Sequence, residues 1–151
     1  MSKRKHKVNF YWDDERGTCR CTVSDGDNKY IGMAFCNPVD FDMKSQKTGE
    51  EIAYNRALIN ALKAKKKEVK LELRGLLGYY YAIKHTTKFN PKSYEARMLY
   101  RQIRMRYDDI DSIQQEIDGL DFYVANYIKE KDKFYESIRQ MRAKNEQIQN
   151  D

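Results

Sequence analysis

The chain has 151 residues, of which 40% are apolar and 34% charged, and its net charge is +6. That length suits one domain, or a small domain with a helical extension. Seven glycines and two prolines are too few for a disordered or all-turn chain. No apolar run approaches the ~20 residues of a membrane-spanning helix.

The opening, Met1–Lys7, is a basic arm carrying Lys3, Arg4, Lys5 and Lys7, without the apolar stretch of a secretory signal. Three cysteines without framework spacing fit reduced thiols. Together these features predict a cytoplasmic protein. Val8–Trp12 is apolar and aromatic enough for a strand, and Gly17 closes the turn that follows it. Thr18–Ser24 alternates, with Cys19, Cys21 and Val23 on one face. Asp25-Gly26-Asp27-Asn28 is a hairpin turn. Lys29–Cys36 is a third strand, apolar on both faces and therefore expected at the centre of the sheet, and Asn37-Pro38 ends it.

Thr48 and Glu51 have the spacing of a capping box at the start of a first helix. That helix carries Ile52, Ile59, Leu62, Val69, Leu73, Leu76, Leu77 and Tyr80 at helical spacing. Lys63, Lys65, Lys66, Lys67 and Lys70 ring its middle with positive charge. Asn90-Pro91 is expected to start a second helix, with Phe89 stapled onto Tyr94. No proline interrupts the rest of the chain, and two heptad positions are legible. One reads Ala96, Ile103, Ile110, Ile117, Val124, Lys131, Ile138; the other reads Leu99, Arg106, Ile113, Leu120, Tyr127, Phe134, Met141. This is a coiled-coil seam with two charged positions in it. The heptad phase runs unbroken across Gly119, which favours one continuous helix over a hairpin turning there. Blocks of Arg97–Arg106, then Asp108–Asp121, then Lys129–Lys144 suit antiparallel pairing, with a second copy or with the lysine-rich first helix.

The expected fold is therefore α+β: a three-stranded antiparallel sheet packed on a helix, followed by a long coiled-coil-like helix or helical hairpin. The expected division is residues 1–86 as a β-β-β-α head and 87–151 as the helical extension.

Chemistry finds little foothold. The two histidines, His6 and His85, fall in the arm and in a linker, where no rigid element holds a nucleophile's base. Cys19-x-Cys21 with Cys36 lacks zinc-site spacing and a fourth ligand, and reads as core thiols. Asp25-Gly26-Asp27 lacks the twelve-residue calcium pattern. Asp108, Asp109 and Asp111 point in different directions around a helix. No catalytic residue, cofactor or metal is expected.

Twelve tyrosines supply contact area with a polar tip, which suits interfaces. The candidate partner-binding residues are Tyr100, Arg101, Arg104, Tyr107, Tyr123, Tyr127 and Tyr135. The expectation is a non-catalytic protein that docks on a protein or nucleoprotein, with self-association through the last helix as one form of it. The alternative is nucleic-acid binding through Lys3, Arg4, Lys5, Lys63, Lys65, Lys66, Lys67 and Lys70.

The segment Gly32-x-Ala34 … Pro38-x-Asp40 … Gly49-x-Glu51-x-Ala53-x-x-Arg56-Ala57-Leu58 resembles small bacterial and phage proteins with a double-stranded-RNA-binding-domain-like core. That resemblance implies three strands followed by a helix, and no particular activity. RNA-binding members of the wider fold place lysines at the start of this helix; here Lys44 and Lys47 precede acidic Glu50 and Glu51. Short, basic, tyrosine-rich chains of this type also resemble bacteriophage accessory proteins, some of which inhibit host defence systems.

Overall fold

The structure is a computed structural model that describes residues 7–37, 40 and 43–150. The expectations placed on Lys3, Arg4, Lys5, His6 and Pro38 fall outside those residues. The elements are β1 (Lys7–Asp13), β2 (Thr18–Asp25), β3 (Asn28–Phe35), α1 (Gln46–Lys84) and α2 (Tyr94–Asn150), an α+β fold. The chain divides into two compact units, residues 1–60 with 119–151, and residues 61–118. Each unit takes a part of both helices, so the grouping differs from a division at residue 87.

In the first unit the sheet has the order β1-β2-β3, antiparallel throughout. Asp25 pairs with Asn28, leaving a two-residue turn in which Gly26 takes φ 62°, and Gly17 takes the same value in the turn before β2. Such positive φ is open to glycine without steric cost. One face is covered by α1: Cys19 and Cys21 are fully buried with Val23, Ala34, Ala53 and Ala57, and Trp12, Ile52 and Tyr54 pack against them. The small residues let the helix lie against the backbone of β3. A Cβ on Gly32 would collide with the Ala53 carbonyl oxygen and the Ala57 amide nitrogen, and one on Gly49 would lie 3.0 Å from Cys19 Cβ.

The third strand is an edge strand, not the central one. Its second apolar face, Ile31, Met33 and Phe35, is left open, with Phe35 69% exposed. Side chains from α1 blunt that edge instead. Arg56 Nη1 donates to the Met33 carbonyl at 2.8 Å and Asn60 Nδ2 to the Ile31 carbonyl at 2.7 Å. Two of the acceptors that a foreign strand would seek are thereby occupied.

Both helices are capped by serine, one turn from where the capping pattern pointed. The Thr48 amide donates to Ser45 Oγ at 3.3 Å, and the Ala96 amide to Ser93 Oγ at 3.2 Å. The helices therefore begin at Gln46 and Tyr94. Asn90 forms a turn, accepting from the Lys92 amide at 3.0 Å, and Phe89 packs edge-on against Tyr80 at 6.1 Å. Ser45→Ala is expected to cost about 1 kcal/mol in a urea melt.

In the second unit α1 and α2 pack antiparallel around Leu73, Leu99 and Ile103, with Leu76, Leu77, Tyr80, Ile83 and Ile110 beside them. Two cross-helix contacts set the register: Lys66 Nζ donates to Gln114 Oε1 at 2.5 Å, and Arg106 Nε lies 2.9 Å from Glu72 Oε2. The second contact resolves one charged heptad position, because Arg106 reaches a carboxylate across the helix pair. The helix α2 runs unbroken through Gly119.

Candidate partner-binding surfaces

The seam of α2 is buried at Ala96, Leu99, Ile103, Ile113, Ile117 and Val124. Beyond Val124 the same heptad continues under thinner cover. Tyr127, Lys131 and Ile138 are half-buried, while Phe134, Met141 and Ile148 are 57%, 64% and 73% exposed. Asn145 stands in that stretch at the position that Ile138 occupies one heptad earlier. A polar residue at such a position selects register and partner number in a helix pair.

The seven tyrosine and arginine candidates fall into two groups. Tyr123, Tyr127 and Tyr135 belong to the first unit and are largely engaged within it. Tyr123 donates its hydroxyl to Glu51 Oε1 at 2.8 Å, and its ring stacks on Tyr127 at 6.1 Å. Lys131 Nζ sits 5.5 Å from the centre of the Tyr127 ring, an attractive cation–π position that accounts for the other charged heptad residue. The Tyr123 phenol is pushed above its ordinary pKa chiefly by its hydrogen bond to the Glu51 carboxylate. Burial raises that of Tyr135, against a smaller opposite effect of Thr48.

Tyr135 lines a cavity of about 260 Å³ with Trp12, Cys36, Asp40, Ser45, Thr48, Arg56 and Asp132 among its walls. Asp40 is 4% exposed and forms an ion pair with Arg139, whose guanidinium also holds Glu136 at 2.6 Å. The bond to Glu136 is the main reason the Arg139 pKa is raised. The carboxylate is thus satisfied inside the protein and leaves the cavity no free acid from Asp40. Sequence reasoning missed the Asp40–Arg139 pair. Asp40 lies 99 residues from Arg139 in sequence, and no local pattern links the two.

The other group, in the second unit, faces outward. Tyr100, Arg104 and Tyr107 have the i, i+4, i+7 spacing of one helix face. The two tyrosines are 62% and 50% exposed, and Arg104 is exposed as well. Arg101 lies on the opposite flank, lining a groove with Glu72, Gly75, Leu76, Met98 and Met105. On α1, Lys63, Lys67, Lys70 and Arg74 are all exposed and share one face. Because the helices run antiparallel, that face and the Tyr100–Tyr107 face lie on the same flank, away from the groove. Lys65 points elsewhere around α1, and Lys66 is bonded to Gln114. The strip on α2 continues through Asp111, so the flank carries an acid among its cations.

The thiols are packing groups. Among the described residues no three His, Cys, Asp or Glu side chains gather where a metal ion would fit. Burial, with Cys19 and Glu50 adding to it, pushes the Cys21 thiol up to about 11, and burial then Glu50 raise Cys19. The folded state keeps these protons through an interval in which the unfolded chain, with a thiol pKa of about 8.5, releases them. Their contribution to stability is therefore complete below that value and is lost as pH rises toward 11. Thiol reagents at neutral pH are expected to label Cys36 well before Cys19 and Cys21, as followed by mass.

No helix among the described residues is long and apolar enough to cross a membrane. No protein-family model, curated protein or solved structure matches the chain.

Proposed function

We propose that the protein is a non-catalytic docking protein whose α2 seam, exposed at Phe134, Met141 and Ile148, packs against a helix of a protein or nucleoprotein partner. The observation that carries this is the exposure of Phe134, Met141 and Ile148 in register with a seam buried before them. Apolar side chains at heptad spacing gain by pairing with a second helix. The outward Tyr100, Arg104 and Tyr107 supply residue types that dominate binding energy at interfaces. A role as a phage-type accessory protein, acting by blocking or scaffolding its target, is consistent with this architecture.

The residues that carry the family resemblance also have packing roles. Gly32, Ala53 and Ala57 meet where α1 crosses β3, Gly49 approaches Cys19, and Arg56 caps the strand edge. That supports a shared fold and leaves function to the surface.

Sedimentation of the full chain across micromolar concentrations, beside a Phe134→Lys/Met141→Lys variant, tests the seam. Self-association lost in the variant identifies a second copy as the occupant. A monomer in both directs the search to another protein, through crosslinking at the seam. Self-association that the variant leaves unchanged contradicts the reading.

Nucleic-acid binding along Lys63, Lys67, Lys70 and Arg74 is the second reading, favoured by their common exposed face. Asp111 on the same flank makes it the weaker one for duplex.

A further inference from the structure

The sheet has a face that α1 does not cover. Its side chains follow from the register, which sets four rows across the strands: Lys7–Ser24–Lys29, Asn9–Thr22–Ile31, Tyr11–Arg20–Met33 and Asp13–Thr18–Phe35. Alternation places these twelve opposite Cys19, Cys21 and Val23. Tyr11 and Phe35 are 61% and 69% exposed on the two edge strands. Arg20 stands on the central strand between them, with its guanidinium 5.6 Å from the Tyr11 ring centre. Lys7 and Lys29 are exposed together in the end row. The only carboxylate in these rows, Asp13, lies at the other end and is bridged by Arg16 at 3.8 Å.

We propose that this face binds single-stranded nucleic acid, with Tyr11 and Phe35 stacking on bases and Lys7, Arg20 and Lys29 meeting the phosphates. Two outward rings on a pleated platform, with three cations against one engaged acid, match the chemistry of a single strand. A duplex keeps its bases stacked inside and offers nothing to the rings. A peptide partner would leave the cations in need of acids. The inference does not depend on the reading of α2, which uses different side chains.

The test is fluorescence anisotropy of the full-length protein with a labelled mixed-sequence 16-mer, as single-stranded RNA, as single-stranded DNA and as the blunt duplex. Either single strand is expected to bind more tightly than the duplex. Tyr11→Ala and Phe35→Ala are each expected to weaken single-strand binding about tenfold, while Tyr11→Phe, which keeps the ring, retains it. Lys7→Ala and Lys29→Ala are each expected to reduce the slope of log affinity against log salt by about 0.7. All four positions are solvent-exposed, and an unchanged thermal melt confirms the fold of each variant. Equal affinity for duplex, no binding at 50 mM salt as a probe condition of about that strength, or indifference to both alanine variants overturns the proposal. The RNA and DNA arms decide which strand is preferred, and a preference for either supports it.

Discussion

Gly32→Ala is expected to destabilise the first unit by about 3 kcal/mol, enough to remove much of the stability of a small domain. The reason is the nature of what the new methyl would meet. The obstacles are backbone atoms of α1, the Ala53 carbonyl and the Ala57 amide. Neither can rotate away as a side chain would, so α1 must lift from β3. Lifting it exposes Cys19, Cys21 and Ala34 and pulls Arg56 and Asn60 from the carbonyls they cap. Gly75→Ala provides the contrast. Nothing lies within 4 Å of a Cβ there, and alanine is favoured over glycine inside a helix by about 1 kcal/mol. A urea melt of the two variants should therefore move in opposite directions.

Arg139→Ala has the next largest expected effect, a loss of stability read as a lower midpoint in a urea melt. Asp40 is almost fully buried, and Arg139 is its ion-pair partner. Removing the guanidinium strands a carboxylate in a site from which water is largely excluded. The partial exposure of Arg139, at 35% of its side chain, makes the loss smaller than for a fully buried pair. Arg139→Lys should recover only part of the loss, since an ammonium cannot hold Asp40 and Glu136 in the same fork. Removing both partners, in Arg139→Ala/Asp40→Ala, should cost less than Arg139→Ala alone. A double-mutant cycle in denaturant would read this directly.

Much of the fold was legible in the chain. Alternation placed Cys19, Cys21 and Val23 inward, Gly17 and Gly26 marked the turns, and the unbroken heptads carried α2 through Gly119. What was misplaced depended on competition that local sequence does not decide. Ser45 and Thr48 are both capping residues, one helical turn apart, as are Asn90 and Ser93, and in each pair the serine is the cap. The apolar outer face of β3 suggested a central strand. Periodicity reports which face could be buried, and here β2 took the centre. The charged heptad positions Arg106 and Lys131 looked like defects because Glu72 and the Tyr127 ring become their partners only in three dimensions. The candidate surfaces were half legible. Tyr100, Arg104 and Tyr107 face outward as an interface would need, whereas Tyr123 and Tyr135 are tied to Glu51 and Thr48.

The most direct test places a photo-reactive phenylalanine at Met141, on the exposed stripe, and separately at Ala143, around the helix from it, in the full chain within cells that express it. The account expects a discrete protein adduct from position 141, mapping to a helix of one partner or of a second copy, and little from position 143. Equal and diffuse labelling from both positions, or none from 141 while the protein remains folded, would contradict it.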